Sequence, residues 1–214
     1  MSGGANDGVD INDTVSYADL TAGVGVTVDL NITSSQNTGG AGSDTITNVE
    51  NLIGSNYADT LKGTNSSNIL GGLGGNDTID GRGGSDVIIG GKGSDNLTGG
   101  SSSDTFVWQA GDDTGNPTDR ITDFTVGGGN GDKLDLSDLL VDEHSDPVTL
   151  DAYLSFSSVN SNQDTQIAVD ADGAGPSASQ QLIILQGVQM ASLGGTDQAA
   201  ISTLIAANAL LTSG

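Results

Sequence analysis

Residues 54–107 read as six consecutive nonapeptides: GSNYADTLK (54–62), GTNSSNILG (63–71), GLGGNDTID (72–80), GRGGSDVII (81–89), GGKGSDNLT (90–98) and GGSSSDTFV (99–107). Asp59, Asp77, Asp86, Asp95 and Asp104 hold the sixth position, and Asn68 fills the remaining rung. Asp113 lies one step further on, and Glu50 one step upstream. Two places beyond each rung stands an apolar residue: Leu52, Leu61, Leu70, Ile79, Ile88, Leu97 and Phe106. A Gly-rich hexapeptide makes a turn, because glycine visits positive φ cheaply and lets backbones approach. The following x-apolar-x makes a short strand with its middle side chain inward. Turn plus strand is half a coil, so about 18 residues complete one circuit and side chains that far apart stack. The spacing predicts one column of Asp59, Asp77, Asp95 and Asp113 and a second of Asn68, Asp86 and Asp104. An apolar core of one residue per half-coil is thin and stabilises little by itself.

The 214 residues hold 5 Lys+Arg against 28 Asp+Glu, a net charge of −23, with no cysteine and 34 glycines. All the acids except Glu50 and Glu143 are aspartates. Such a chain does not bind nucleic acid through its phosphates, which needs clustered Lys/Arg, and an anionic membrane surface repels it. No apolar run is long enough to span a bilayer. The absence of cysteine excludes disulfides and thiolate metal sites. Asp with Gly is turn and oxygen-ligand chemistry rather than the composition of a disordered acidic tail. Carboxylates stacked at ~4 Å repel by on the order of 4 kcal/mol per pair at an effective dielectric of ~20. A hard divalent cation relieves that repulsion, and carboxylates with turn carbonyls suit calcium better than magnesium.

The blocks resemble the calcium-binding repeat-in-toxin (RTX) nonapeptide G-G-x-G-x-D-x-U-x. The resemblance implies an all-β fold, a calcium-bound parallel β-roll with flanking β-rich caps and a short C-terminal helix. It also implies several Ca²⁺ ions. Each is held by positions two, four and six of one turn and positions one, three and six of the turn 18 residues on. Carried over, one ion takes the carbonyls of Leu73, Gly75, Gly90 and Lys92 with Asp77 and Asp95. A second takes Arg82, Gly84 and Asp86 with Gly99, Ser101 and Asp104. A third takes Ser55, Tyr57 and Asp59 with Gly72, Gly74 and Asp77. A fourth takes Gly91, Gly93 and Asp95 with Trp108, Ala110 and Asp113. The pair Asn68 and Asp86 has lost a charge, and its site is expected to be weak or empty.

The flanks divide as a β-rich lead-in and N-terminal cap (1–53), the roll (54–113), a β-rich C-terminal cap (114–190) and a tail (191–214). In the lead-in, Val24, Val26, Val28, Leu30 and Ile32 alternate as a half-buried strand, with shorter candidates at Val9–Ile11 and Val15–Tyr17. GGAGSDTIT (39–47) matches the repeat but is out of phase. Gly3-Gly4-Ala5-Asn6-Asp7 looks like a truncated repeat, from which a longer parent protein is expected. DRITDF (119–124) and GDKLDLSDLL (131–140) resemble the cap that follows such repeats. Their Asp119, Asp123 and Asp132 offer a further ion site or, equally, solvated turns with a helix cap at Ser137. Antiparallel strands are expected over Tyr153–Val159, Thr165–Val169 and Gln181–Gln186, with a turn rather than a metal loop at Asp170–Gly173. In the tail, Ile201, Leu204, Ile205 and Leu211 fall near helical spacing. The cation-poor, apolar end resembles the signal read by bacterial type I secretion machinery.

No HExxH or G-x-S-x-G motif occurs, and the single histidine, His144, lies in a polar loop. The resemblance therefore implies a non-enzymatic, extracellular module, the calcium-dependent folding and export domain of a cell-surface adhesin. The alternatives are the RTX tail of a secreted hydrolase and a calcium-dependent glycan-binding module.

Overall fold

The computed structural model describes residues 13–21, 23–140, 150–171 and 180–212. Gly3–Asp7, Val9–Ile11, His144 and Asp172–Gly173 lie outside the described residues. The strands in chain order are β1 (Thr14–Ser16), β2 (Thr27–Asp29), β3 (Gln36–Gly39), β4 (Gly42–Asp44), β5 (Asn51–Ile53), β6 (Thr60–Lys62), β7 (Ile69–Gly71), β8 (Thr78–Asp80) and β9 (Val87–Ile89). They continue with β10 (Asn96–Thr98), β11 (Thr105–Val107), β12 (Thr118–Ile121), β13 (Lys133–Asp135), β14 (Leu154–Val159), β15 (Asp164–Asp170), β16 (Gln180–Leu185) and β17 (Leu210–Leu211). An α-helix, α1 (Asp197–Ala206), precedes β17.

The chain alternates between two sheets as it coils. One runs β1-β5-β7-β9-β11-β13-β17 and the other β14-β15-β16-β12-β10-β8-β6-β2. Within the ladder all pairing is parallel and the partners are 18 apart: Thr60↔Thr78↔Asn96 on one side, Asn51↔Ile69↔Val87↔Thr105 on the other. The architecture is a parallel β-roll. Along the roll each three-residue strand buries its middle side chain, and β5 buries Asn51 as well. Leu52, Leu70, Ile88, Phe106 and Leu134 face Val28, Leu61, Ile79, Leu97 and Ile121, and all are essentially inaccessible to solvent. Each contributes about 1.5–3 kcal/mol by burial.

The stacking runs past both ends of the repeats, with the register held while the spacing changes. Asn96 pairs with Arg120, Thr105 with Lys133, Ile121 with Leu185 and Leu134 with Leu210. Longer segments loop out, and the strands return to the same sheets. β14, β15 and β16 are antiparallel, as the alternation over 150–190 predicts. Phe124 lies over Phe106 with ring centroids 6.3 Å apart, thickening the core under the cap.

The expected long strand over Val24–Ile32 is cut down to β2. Val26, Val28 and Leu30 point inward, but Val24 is 61% and Ile32 40% exposed, because the chain turns at both ends. The GGAGSD block forms the β3–β4 hairpin rather than a coil, and Tyr17 Oη and Thr38 Oγ1 donate to its Asp44 carboxylate. The hairpin covers the free edge of β2. Gln36 Oε1 accepts from Asp29 N at 2.9 Å while its Nε2 donates to Asp29 O at 3.1 Å, a side-chain amide standing in for a neighbouring strand. At Ser137 the chain makes a turn on Asp135 instead of opening a helix. In the tail, Thr196 caps α1 by accepting from Ala199 N, and Ala200, Ile201 and Leu204 are buried. Leu211 belongs to β17 rather than to the helix.

Candidate metal sites in the stacked turns

The rung acids immediately precede the strands on one edge or the other, and parallel pairing puts them in two columns. Each carboxylate reaches back to the coil before it. Asp77 Oδ1 accepts from Asp59 N at 2.7 Å, Asp95 Oδ1 from Asp77 N at 2.8 Å, Asp86 Oδ1 from Asn68 N at 2.7 Å and Asp104 Oδ1 from Asp86 N at 2.8 Å. These four side chains are only 1–2% exposed. Their second oxygens, Oδ2 of Asp77, Asp86, Asp95 and Asp104, are buried without a hydrogen-bond partner. A buried, unpaired carboxylate oxygen is costly, and the four fall into two pairs, Asp77/Asp95 and Asp86/Asp104.

The same four turns share a backbone geometry. Positions two and four are left-handed in each: Leu73 (φ 76°) and Gly75 (113°), Arg82 (72°) and Gly84 (93°), Gly91 (91°) and Gly93 (125°), Gly100 (102°) and Ser102 (89°). The first-position glycine sits against the orphan oxygen. A Cβ at Gly72 would overlap Asp77 Oδ2 and the Gly90 carbonyl oxygen, and one at Gly81 would overlap Asp86 Oδ2 and the Gly99 carbonyl oxygen. Between coils, the Leu73 and Gly75 carbonyls press on Gly91 and Gly93, and the Arg82 carbonyl on Gly100. Among the described residues no three acidic or imidazole side chains converge on one point. A cation here would rest on two carboxylates and main-chain carbonyls, the hard oxygen set that suits calcium.

The family described as Peptidase M10 serralysin C terminal matches residues 40–192. The chain belongs to that family. It is an RTX-type repeat protein, and RTX β-rolls as a class bind calcium. Two solved structures resemble this serralysin C-terminal relative, both from the mannuronan C5-epimerase of Azotobacter vinelandii. The AlgE6R2 subunit is 26% identical with a TM-score of 0.48, covering 74% of this chain and 89% of its own. The AlgE6R3 subunit is 25% identical with a TM-score of 0.48, covering 73% and 78%. Among curated proteins none matches closely enough to count as a relative.

In this serralysin-type roll the first two ligand sets of the RTX resemblance lie in open turns. They are Leu73, Gly75, Asp77 with Gly90, Lys92, Asp95, and Arg82, Gly84, Asp86 with Gly99, Ser101, Asp104. The turn of the third set is closed by its own donors: Ser55 N donates to Asp59 Oδ2 at 2.6 Å and Ser55 Oγ to Oδ1 at 2.9 Å. Ser55 and Tyr57 are not among the residues with positive φ. The turn before Asn68 is closed likewise, with Thr64 N 2.7 Å from the Asn68 amide oxygen.

The fourth set needs a correction. Trp108, Ala110 and Asp113 do not stack on the turn of Gly91, Gly93 and Asp95, because the next coil is longer. Asp119 takes that rung, its Oδ1 accepting from Asp95 N at 2.9 Å. Asp132 takes the rung after Asp104, accepting from Asp104 N at 3.0 Å. Asp119, Asp123 and Asp132 therefore do not form one ion site. Protein donors already occupy their oxygens. Asp119 Oδ2 accepts from Trp108 Nε1 and Gln181 Nε2, Asp123 from Gly99 N and Gly100 N, and Asp132 Oδ2 from Thr125 N. Both ends of each column are closed by N–H groups, leaving the open oxygens in the middle.

Burial is the main cause that pushes the carboxyls up: Asp77 to about 8, Asp86 to about 7, and Asp95 and Asp104 to about 6. Neighbouring acids add to this, as Asp95 and Asp59 do on Asp77, and the backbone N–H of the preceding coil opposes it. Leu73 sits at φ 76° and is 38% exposed, so its side chain offsets little of the left-handed strain. Leu73→Gly is expected to stabilise the calcium-loaded fold by about 1 kcal/mol in urea unfolding.

Proposed function

We propose that this chain is a calcium-dependent folding and export module of a secreted bacterial surface protein, an adhesin by the resemblance of its cap and tail. The observation that carries the calcium reading is the coincidence of two features in the same four turns: an orphaned, buried Asp Oδ2 and left-handed positions two and four. Two in-register pairs make two interior ion sites, held by the first two ligand sets named above. Bound calcium supplies positive charge between the stacked carboxylates. The chain's own residues hold those carboxylates in place by hydrogen bonds to their Oδ1 atoms and exclude water around them.

The chemistry then follows from charge. With 28 acids against 5 basic residues, the metal-free chain repels itself and stays threadable through a secretion channel. Millimolar external calcium meets sites of extracellular type, with Kd on the order of 10⁻⁴–10⁻³ M, and stabilises the fold by mass action. Among the described residues no helix is long and apolar enough to cross a membrane.

Calorimetric titration with calcium chloride is expected to saturate at two ions. Asp77→Ala and Asp86→Ala are each expected to raise the calcium midpoint about tenfold or more, and Asp113→Ala to leave it unchanged. A midpoint that moves equally for all three would count against these sites. The family's description as a peptidase C-terminal domain favours a second passenger, a secreted hydrolase whose catalytic domain lies upstream. The upstream gene sequence separates the two: a repetitive array means adhesin, a catalytic motif means hydrolase.

A further inference from the structure

Only five basic side chains exist in the chain: Lys62, Arg82, Lys92, Arg120 and Lys133. One of them stands where the repeat has glycine. Arg82 is the second residue of its turn, at φ 72°, a conformation that a long side chain adopts at a cost. Its guanidinium reaches back to the lead-in, 53 residues earlier. Nη1 donates to Asp29 Oδ1 at 2.8 Å and Nη2 to Asp29 Oδ2 at 2.6 Å, with Nη1 also on the Gly63 carbonyl at 2.8 Å. This fork is half-buried, the side chains being 25% and 21% exposed. Bidentate, partly desolvated pairs are the strong kind. The same residue's carbonyl accepts from Ser101 N at 2.9 Å, and its turn carries the orphaned Asp86 Oδ2. Asp29 in turn sits on β2 between β6 and the covering hairpin, joined to Gln36.

We infer that Arg82 couples the metal state of the 81–86 turn to the docking of the lead-in. The inference rests on the calcium reading above. An ion bound to the Arg82 carbonyl and Asp86 fixes the left-handed backbone from which the guanidinium grips Asp29. Without it, the turn relaxes and the edge formed by β2 and the β3–β4 hairpin is released. By linkage, the docked lead-in raises calcium affinity at that turn by the same factor. Arg82 is a positioning residue here, contributing through its main chain to one partner and through its side chain to the other.

The test is amide hydrogen exchange on the whole chain, in saturating calcium and in calcium-free buffer, for the wild type, Arg82→Gly and Asp29→Asn. Glycine suits φ 72°, so Arg82→Gly keeps the turn, while Asp29→Asn leaves the turn untouched, keeps an amide oxygen for the Asn31 N–H that Asp29 Oδ1 accepts at 2.9 Å, and weakens the pair. Both variants are expected to exchange about tenfold faster over residues 26–38 in calcium, with residues 69–107 protected as in the wild type. The reversed pair, Asp29→Arg with Arg82→Asp, is expected to restore protection. Unchanged exchange over 26–38 in both variants overturns the coupling and leaves the calcium reading standing. A wild type that exchanges identically with and without calcium overturns both.

Discussion

In calcium-free buffer at pH 8 the chain is expected to show a disordered circular dichroism spectrum, and lowering the pH toward 4 is expected to bring back much of the β signal with no metal added. The sign comes from burial. Asp77, Asp86, Asp95 and Asp104 have folded values of about 8, 7, 6 and 6, all above the ordinary carboxylate range. A group raised in the fold stabilises it fully below its unfolded value, about 4, and loses that contribution as the pH climbs through 6 to 8. Proton and calcium compete for the same orphaned oxygens, so calcium binding near pH 7 releases protons, measurable as buffer-dependent heat. The sequence already holds one neutral rung at Asn68, whose amide oxygen is met by Thr64. Replacing all four open aspartates by asparagine is accordingly expected to abolish the calcium response and most of the pH response. A metal-free wild type better folded at pH 8 than at pH 5 would contradict the account of the buried rungs.

The largest single-residue loss of stability is expected from Gly93→Ala. Gly93 has φ 125°, and a Cβ there would be driven into the Gly75 carbonyl of the coil above. Backbone meets backbone at this point, so no side chain can swing aside. Left-handed strain and overpacking together make the cost on the order of 3 kcal/mol in saturating calcium. Gly111 has a comparable φ of 94° but nothing within 4 Å of its Cβ direction. Gly111→Ala is expected to cost only the strain, about 1–2 kcal/mol. Urea unfolding of both variants decides: equal losses would mean that close approach between coils is not what requires glycine.

Much of the roll was legible because one rule serves every coil. An acid followed two places later by an apolar residue specified the turn, the inward side chain and the 18-residue register together. What counting missed was the change of spacing after Phe106. A fixed nine-residue step lands on Asp113, whereas the hydrogen-bond register skips ahead to Asp119, 24 residues after Asp95. The signal was present, since Asp119 with Ile121 and Asp132 with Leu134 repeat the acid-plus-two pattern. The hairpin at 39–44 teaches the converse. Its glycines and Asp44 fit the repeat, but the chain pairs Gly39 with Gly42 and Asp44 with Gln36 rather than with a coil 18 residues away. Closure of the Asp59 turn by Ser55 was beyond reach from sequence, because it depends on which backbone conformation two polar residues choose.

The stacking of short strands has a consequence for length. Fully extended, residues 54–107 would reach about 180 Å. Wound into three coils about 4.8 Å apart, they occupy about 15 Å along the axis. Folding from the fully extended chain is therefore a shortening of roughly twelvefold, along a line fixed by the two columns. On the proposed calcium-dependent folding, whatever is tethered to one end of this segment is drawn toward the other.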